Sequence, residues 1–115
     1  MIIGIGTDII EISRIKNLLE NTFFTEKCFT TAEIEYAKNS PQSFAVMYAA
    51  KEAYSKALGT GIRGFSLKDV EVLHDELSKP YIIAHNKAKL SDAKIFVSLS
   101  HSKENAIAYV VIEKE

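Results

Sequence analysis

The chain has a single cysteine, Cys28, in 115 residues. A lone thiol excludes an intramolecular disulfide framework and leaves no cysteine cluster for a structural zinc. It suits a reducing cytosol, and Cys28 reads as a bystander. Excess charge is lacking too: 14 basic residues against 15 acidic ones leave a net charge of −1. Without an electrostatic footprint, neither nucleic acid nor an anionic membrane is an expected partner, and charged recognition must be local. With two prolines and five glycines there is no Pro/Gly-rich linker, and no repeat or low-complexity tract divides the chain. The length therefore reads as one domain over 1–115, which buries roughly two-thirds of its surface on folding. The opening run MIIGIGTDIIEI is too short to span a bilayer, lacks a basic flank and is interrupted by Asp8 and Glu11. No signal peptide is read there, and a cytoplasmic location is expected.

What is present divides into helices first and strands later. Residues 2–6 form a branched, glycine-containing strand, with Thr7 and Asp8 where it runs out. Ile12, Ile15, Leu18 and Leu19 then recur at helical spacing, with Arg14, Lys16, Asn17 and Glu20 opposite. A connection through Phe23, Phe24 and Phe29 leads to Thr30, which with Glu33 makes a capping-box signature for a helix from about Thr31. Asn39, Ser40 and Pro41 stop it. A longer helix starts near Ser43 and ends at Gly59, and its Ala45, Ala49 and Ala53 predict a closely packed neighbour. Residues 66–73 and Tyr81, Ile82 and Ile83 read as strands on either side of a Ser78-Lys79-Pro80 turn, and a short helical piece fits 86–90. Residues 94–100 and 106–112 flank the turn from His101 to Asn105 as a hairpin, with Ile95, Val97 and Leu99 on one face and His101 at its end. This pattern predicts an α+β fold with a largely antiparallel sheet packed on a long central helix.

The chemistry concentrates in KEAYSKALGTG at 51–61. Helical spacing gathers Lys51, Glu52, Ser55 and Lys56 as a polar patch opposite Met47, Ala50, Tyr54, Ala57 and Leu58. The loop after Gly59, with Gly61, Arg63 and Gly64, lets backbone N–H groups approach an anion. Its GxGxxG spelling is not a dinucleotide fingerprint, because these glycines follow a helix and open onto a strand. His74, His85 and His101 have no ligand spacing, so zinc chemistry is not expected. Asp8 and Glu52 each emerge from an apolar stretch. Paired oxygen ligands for Mg²⁺ account for them, as do a helix cap at Asp8 and a solvated Glu52–Lys56 pair. Pattern alone leaves those readings open.

Three segments in order, GIGTDIIEISRI at 4–15, AAKEAYSKALGTGI at 49–62 and SLSHSKENAIAYVV at 98–111, resemble the holo-acyl-carrier-protein synthases of the 4'-phosphopantetheinyl transferase family. The similarity covers essentially the whole chain. It implies transfer of the phosphopantetheine arm of coenzyme A to a serine of apo-acyl carrier protein, for fatty acid biosynthesis, with release of adenosine 3',5'-bisphosphate. It also implies a homotrimer with active sites between subunits. By the same resemblance Asp8 and Glu52 are the Mg²⁺ ligands, Lys56 faces the coenzyme diphosphate, and Glu52 helps deprotonate the serine. Gly59, Gly61 and the rest of that loop border the nucleotide, His101 contacts a coenzyme phosphate from the adjacent subunit, and Arg14 meets the carrier protein. Met47 stands where many relatives place an arginine, and Lys51 or Arg63 is expected to supply the missing coenzyme contact. Ser78 stands where relatives usually have glycine. A silent coenzyme-binding module and a Mg²⁺-dependent nucleotide phosphohydrolase are the alternatives.

Overall fold

Branched residues open the chain as an extended ribbon, and the computed structural model, which describes residues 1–59 and 64–115, carries strand β1 from Ile2 to Glu11. Its residues alternate between two environments. Gly4, Gly6, Asp8 and Ile10 face inward, while Ile3, Ile5, Thr7 and Ile9 face out. β1 pairs antiparallel with β5 (Asn105–Lys114), and β5 pairs antiparallel with β4 (Ala93–His101), giving the order β1-β5-β4. β2 (Val70–His74) and β3 (Pro80–Ala84) make a separate antiparallel pair. The expected α+β class and antiparallel pairing hold. The sheet is divided, however, and β1 runs past Asp8 because its ladder with β5 continues to Glu11 opposite Asn105. Asp8 is thus an inward-facing residue within the strand and not a carboxylate at its end.

Helices α1 (Ile12–Leu18), α2 (Thr22–Cys28), α3 (Thr31–Ala37) and α4 (Pro41–Leu58) follow β1. α2 replaces the expected connection; Asn21 caps it by accepting from the Phe23 N–H at 2.9 Å. The capping box at α3 forms as read, with Glu33 N–H donating to Thr30 Oγ1 and Thr30 N–H to Glu33 Oε1. α4 begins two residues earlier than expected, because Pro41 occupies the first turn, where its missing N–H costs nothing. Gly59 ends it with a left-handed φ of 79°.

α4 lies across the inner face of the sheet. A Cβ on Gly6 would fall 2.0 Å from the Ala53 carbonyl oxygen, and one on Gly4 would fall 1.9 Å from that of Ala57. Only glycine permits this approach, which brings Asp8, two residues farther along the same face, beside the helix. Ala45, Ala49 and Ala53 are fully buried, as their spacing predicted. Residues 66–73 are less regular than expected: a 3-10 turn at Leu67–Asp69, in which Asp69 accepts from the Ser66 N–H, precedes β2. A second 3-10 turn at Asn86–Ala88 fills the place of the predicted helical piece. Ser78 adopts a φ of 65°, the conformation that favours the glycine expected there. Among the described residues no helix is long and apolar enough to cross a membrane.

Candidate active site

Asp8 and Glu52 line one cavity of about 200 Å³, together with Arg14 and Tyr48. Three elements of sequence meet here: β1 supplies Asp8, α1 supplies Arg14, and one turn of α4 supplies Tyr48 and Glu52. Lys56, one turn beyond Glu52, donates to Asp8 Oδ1 and to the Thr7 carbonyl, both at 3.0 Å. It is paired across the helix–sheet contact with Asp8, so the solvated Glu52–Lys56 pair is not the arrangement found, and Asp8 does not cap α1, whose N-cap is Glu11. Burial pushes the Glu52 carboxyl up from its ordinary value, and the Asp8 charge pushes it further; the Tyr48 hydroxyl, Lys56 and Arg14 act in the opposite sense. Two carboxylates held near each other, one of them partly desolvated, are hard oxygen donors that gain from a shared cation. No group of three or more His, Cys, Asp or Glu ligands occurs among the described residues. A Mg²⁺ ion at this pair would therefore complete its shell with water and phosphate oxygens, which the donor set fits.

The expected polar patch on α4 is divided by the fold. Lys51 is fully buried, with Nζ donating to Glu33 at 2.8 Å, to the Val70 carbonyl at 2.7 Å and to the Leu67 carbonyl at 3.0 Å. With its donors engaged inside the core it offers none to a coenzyme, so the expected coenzyme contact of Lys51 is corrected to an internal one. Ser55, also buried, donates to the Lys51 carbonyl. Met47 is fully buried as well, so neither residue places a side chain at the surface where the missing arginine charge was sought. Gly61 and Arg63 lie outside the described residues. Gly59 is described, and the space where its Cβ would stand is open for 4 Å.

His101 is exposed at the end of β4 and does not line the cavity of the two acids. It borders a cavity of about 260 Å³ with Tyr36, Gln42, His74, Pro80 and Ser100, and a second on the outer side of the sheet with Ile9 and Ile107. Tyr36 and His74 are stacked with ring centroids 3.8 Å apart. Sequence reasoning did not find Tyr48, Tyr36 or His74 as site-lining groups. Tyr48 carries a signal in hindsight, lying one turn before Glu52 on the same helix ridge; the meeting of Tyr36 with His74 depends on tertiary packing and leaves no such mark.

A family model described as the 4'-phosphopantetheinyl transferase superfamily matches residues 4–110. A holo-[acyl-carrier-protein] synthase of Clostridium beijerinckii is 51% identical over 121 residues, covering 98% of each chain. One from Clostridium perfringens is 48% identical over 128 residues, covering this chain entirely and 96% of the relative. The crystal structure of a holo-(acyl-carrier-protein) synthase from Bacillus anthracis in complex with CoA (3',5'-ADP) superposes with a TM-score of 0.87 at 42% identity, over all of this chain and 99% of that one. The Helicobacter pylori synthase in complex with coenzyme A gives a TM-score of 0.86 at 30% identity, covering 95% of this chain and 99% of that one. The chain thus belongs to the phosphopantetheinyl transferases and, among them, to the enzymes of the holo-[acyl-carrier-protein] synthase family.

Proposed function

We propose that this enzyme moves the 4'-phosphopantetheine arm of coenzyme A onto a serine of apo-acyl carrier protein in a Mg²⁺-dependent reaction, supplying holo carrier for fatty acid biosynthesis in the cytoplasm. The observation that carries the reading is the convergence of Asp8, Glu52 and Lys56, from residues 44 and 48 positions apart, at one contact between β1 and α4. Asp8 and Glu52 hold the ion, which when bound neutralises charge on the diphosphate. Lys56 uses two of its three N–H donors on β1, which leaves one for a phosphate oxygen. Glu52 takes the serine proton, directly or through water. The serine oxygen bonds to the phosphorus that carries the pantetheine arm, the bond from that phosphorus to the bridging oxygen breaks, and adenosine 3',5'-bisphosphate leaves with that oxygen. Such a reaction asks a protein mainly for positioning and charge neutralisation.

The outer face of the β1-β5-β4 sheet supports assembly into a homotrimer. Ile3, Ile5, Ile9, Phe96, Ile107 and Tyr109 are 40–65% exposed there, a contiguous apolar surface of the kind that marks an interface. His101 stands at the end of this face, where it reaches the coenzyme of a neighbouring subunit. Gly59 borders the nucleotide, and Arg14, exposed at the rim of the acid cavity, meets the carrier protein as it presents its serine. Intact mass spectrometry of apo-acyl carrier protein incubated with the enzyme, coenzyme A and Mg²⁺ tests the reading. The carrier gains one phosphopantetheine with wild type and none with a chelator, Asp8→Asn or Glu52→Gln. Release of adenosine 3',5'-bisphosphate without any carrier would instead make the protein a phosphohydrolase.

A further inference from the structure

Lys51 and Glu52 are adjacent on α4, so their side chains leave the helix about 100° apart. Glu52 points to the acid cavity and also lines a second, largely apolar cavity of about 470 Å³, whose opposite wall includes Phe65, Ser66 and Leu67. Lys51 reaches behind that wall. Its ammonium holds the carbonyls of Leu67 and Val70, and its third partner, Glu33, accepts from the Val72 N–H at 2.8 Å and the Thr30 N–H at 2.8 Å. The ring of Phe29 lies 5.4 Å from Nζ and closes the remaining side. The wall opposite Glu52 is therefore fastened to α4 through one buried charge. On the other side of the helix, contact with β1 is set by Gly4 and Gly6, independently of that charge.

We infer that Lys51 is a positioning residue for the coenzyme: the Lys51–Glu33 pair fixes the Leu67 wall of the apolar cavity at the distance from Glu52 that admits the arm of a coenzyme whose diphosphate is held at the acid pair. This role rests on the transferase reading. Lys51 touches no reacting atom. It acts through the Leu67 and Val70 carbonyls, and it leaves the Asp8, Glu52 and Lys56 arrangement alone.

The test uses the full-length enzyme with the paired substitution Lys51→Met and Glu33→Gln, which removes the clamp without stranding a buried charge. Carrier modification is followed at saturating carrier protein and varied coenzyme A, at a temperature where circular dichroism shows the variant folded. The expected result is a KM for coenzyme about tenfold higher with kcat within about twofold of wild type, the pattern of lost uniform binding. Unchanged KM with a lowered melting temperature would make the pair a core element only and overturn the inference, as would a fall in kcat at unchanged KM. If the paired variant does not fold, Leu67→Ala keeps the backbone carbonyl and thins the same wall; it must raise the coenzyme KM, and an unchanged KM overturns the role. Wild-type enzyme that leaves the carrier unmodified removes the transferase reading and this role together.

Discussion

Two lysines five residues apart on α4 each meet a carboxylate at about 3 Å, and they have opposite tasks. Lys56 and Asp8 form a rim pair, with side chains 55% and 16% exposed; Lys51 and Glu33 form an interior pair with neither side chain exposed. A rim pair gives little stability, because water and salt screen it, but its charges remain available to a ligand. An interior pair gives up that availability, and with every lone pair and donor matched it joins α3, α4, the Leu67–Asp69 turn and β2. The lesson is that the environment, more than the ion pair itself, decides whether a lysine serves chemistry or architecture.

The sharpest way to break this contrast is Lys51→Ala, which takes the paired cation from the buried Glu33 carboxylate and leaves it the Thr30 and Val72 N–H groups. Urea unfolding should show a loss of about 3–5 kcal/mol. Lys56→Ala should do the reverse. Its unfolding free energy should stay within about 1 kcal/mol of wild type, while the rate of carrier modification falls about 10²–10³-fold through loss of a charge that faces the transferred phosphoryl group. Gly6→Ala attacks the rim pair indirectly. A methyl group driven into the Ala53 carbonyl must part β1 from α4, so the protein should lose about 1–3 kcal/mol and the separation of Asp8 from Lys56 should widen in a crystal structure.

The smallest effect concerns a group in neither pair. Burial holds the His74 imidazole below its ordinary value of 6.5, with Asp75 opposing, and its buried Nδ1 has no partner among the described residues. The unfolded chain therefore binds the proton more readily, so the His74 contribution is complete above about pH 6.5 and is lost as the pH falls through the lower folded value. Urea midpoints at pH 7 and pH 5 should differ more for wild type than for His74→Phe. Equal differences would show that His74 is not the group being titrated.

The parts of the molecule that were legible in the sequence are those set by local chemistry. Thr30 and Glu33 announced their capping box, and the apolar spacing of α1 and the small residues of α4 announced buried faces. The Asp8, Glu52 and Lys56 grouping could be named from the resemblance of whole segments, and its geometry then followed from Gly4 and Gly6. Lys51 was misplaced because periodicity assigns a charged residue to the outside, and nothing near it reveals an acid 18 positions upstream or carbonyls 16 and 19 positions downstream. The end of β1 was set too early for a related reason: its last rungs are bonded to β5, roughly a hundred residues away. α2 was missed because the stretch through Phe23, Phe24 and Phe29 has no helical periodicity and was read as a connection; its cap at Asn21 came from the structure.

Glu33 has a consequence for how the chain assembles. Its carboxylate is answered by α3 through Thr30, by α4 through Lys51 and by β2 through Val72. Removing any one of these elements opens the carboxylate to water or leaves it short of a partner, so its full set of bonds exists only in the complete fold. The residue behaves as an AND gate on burial: its charge is fully answered only where α3, α4 and β2 are all in place.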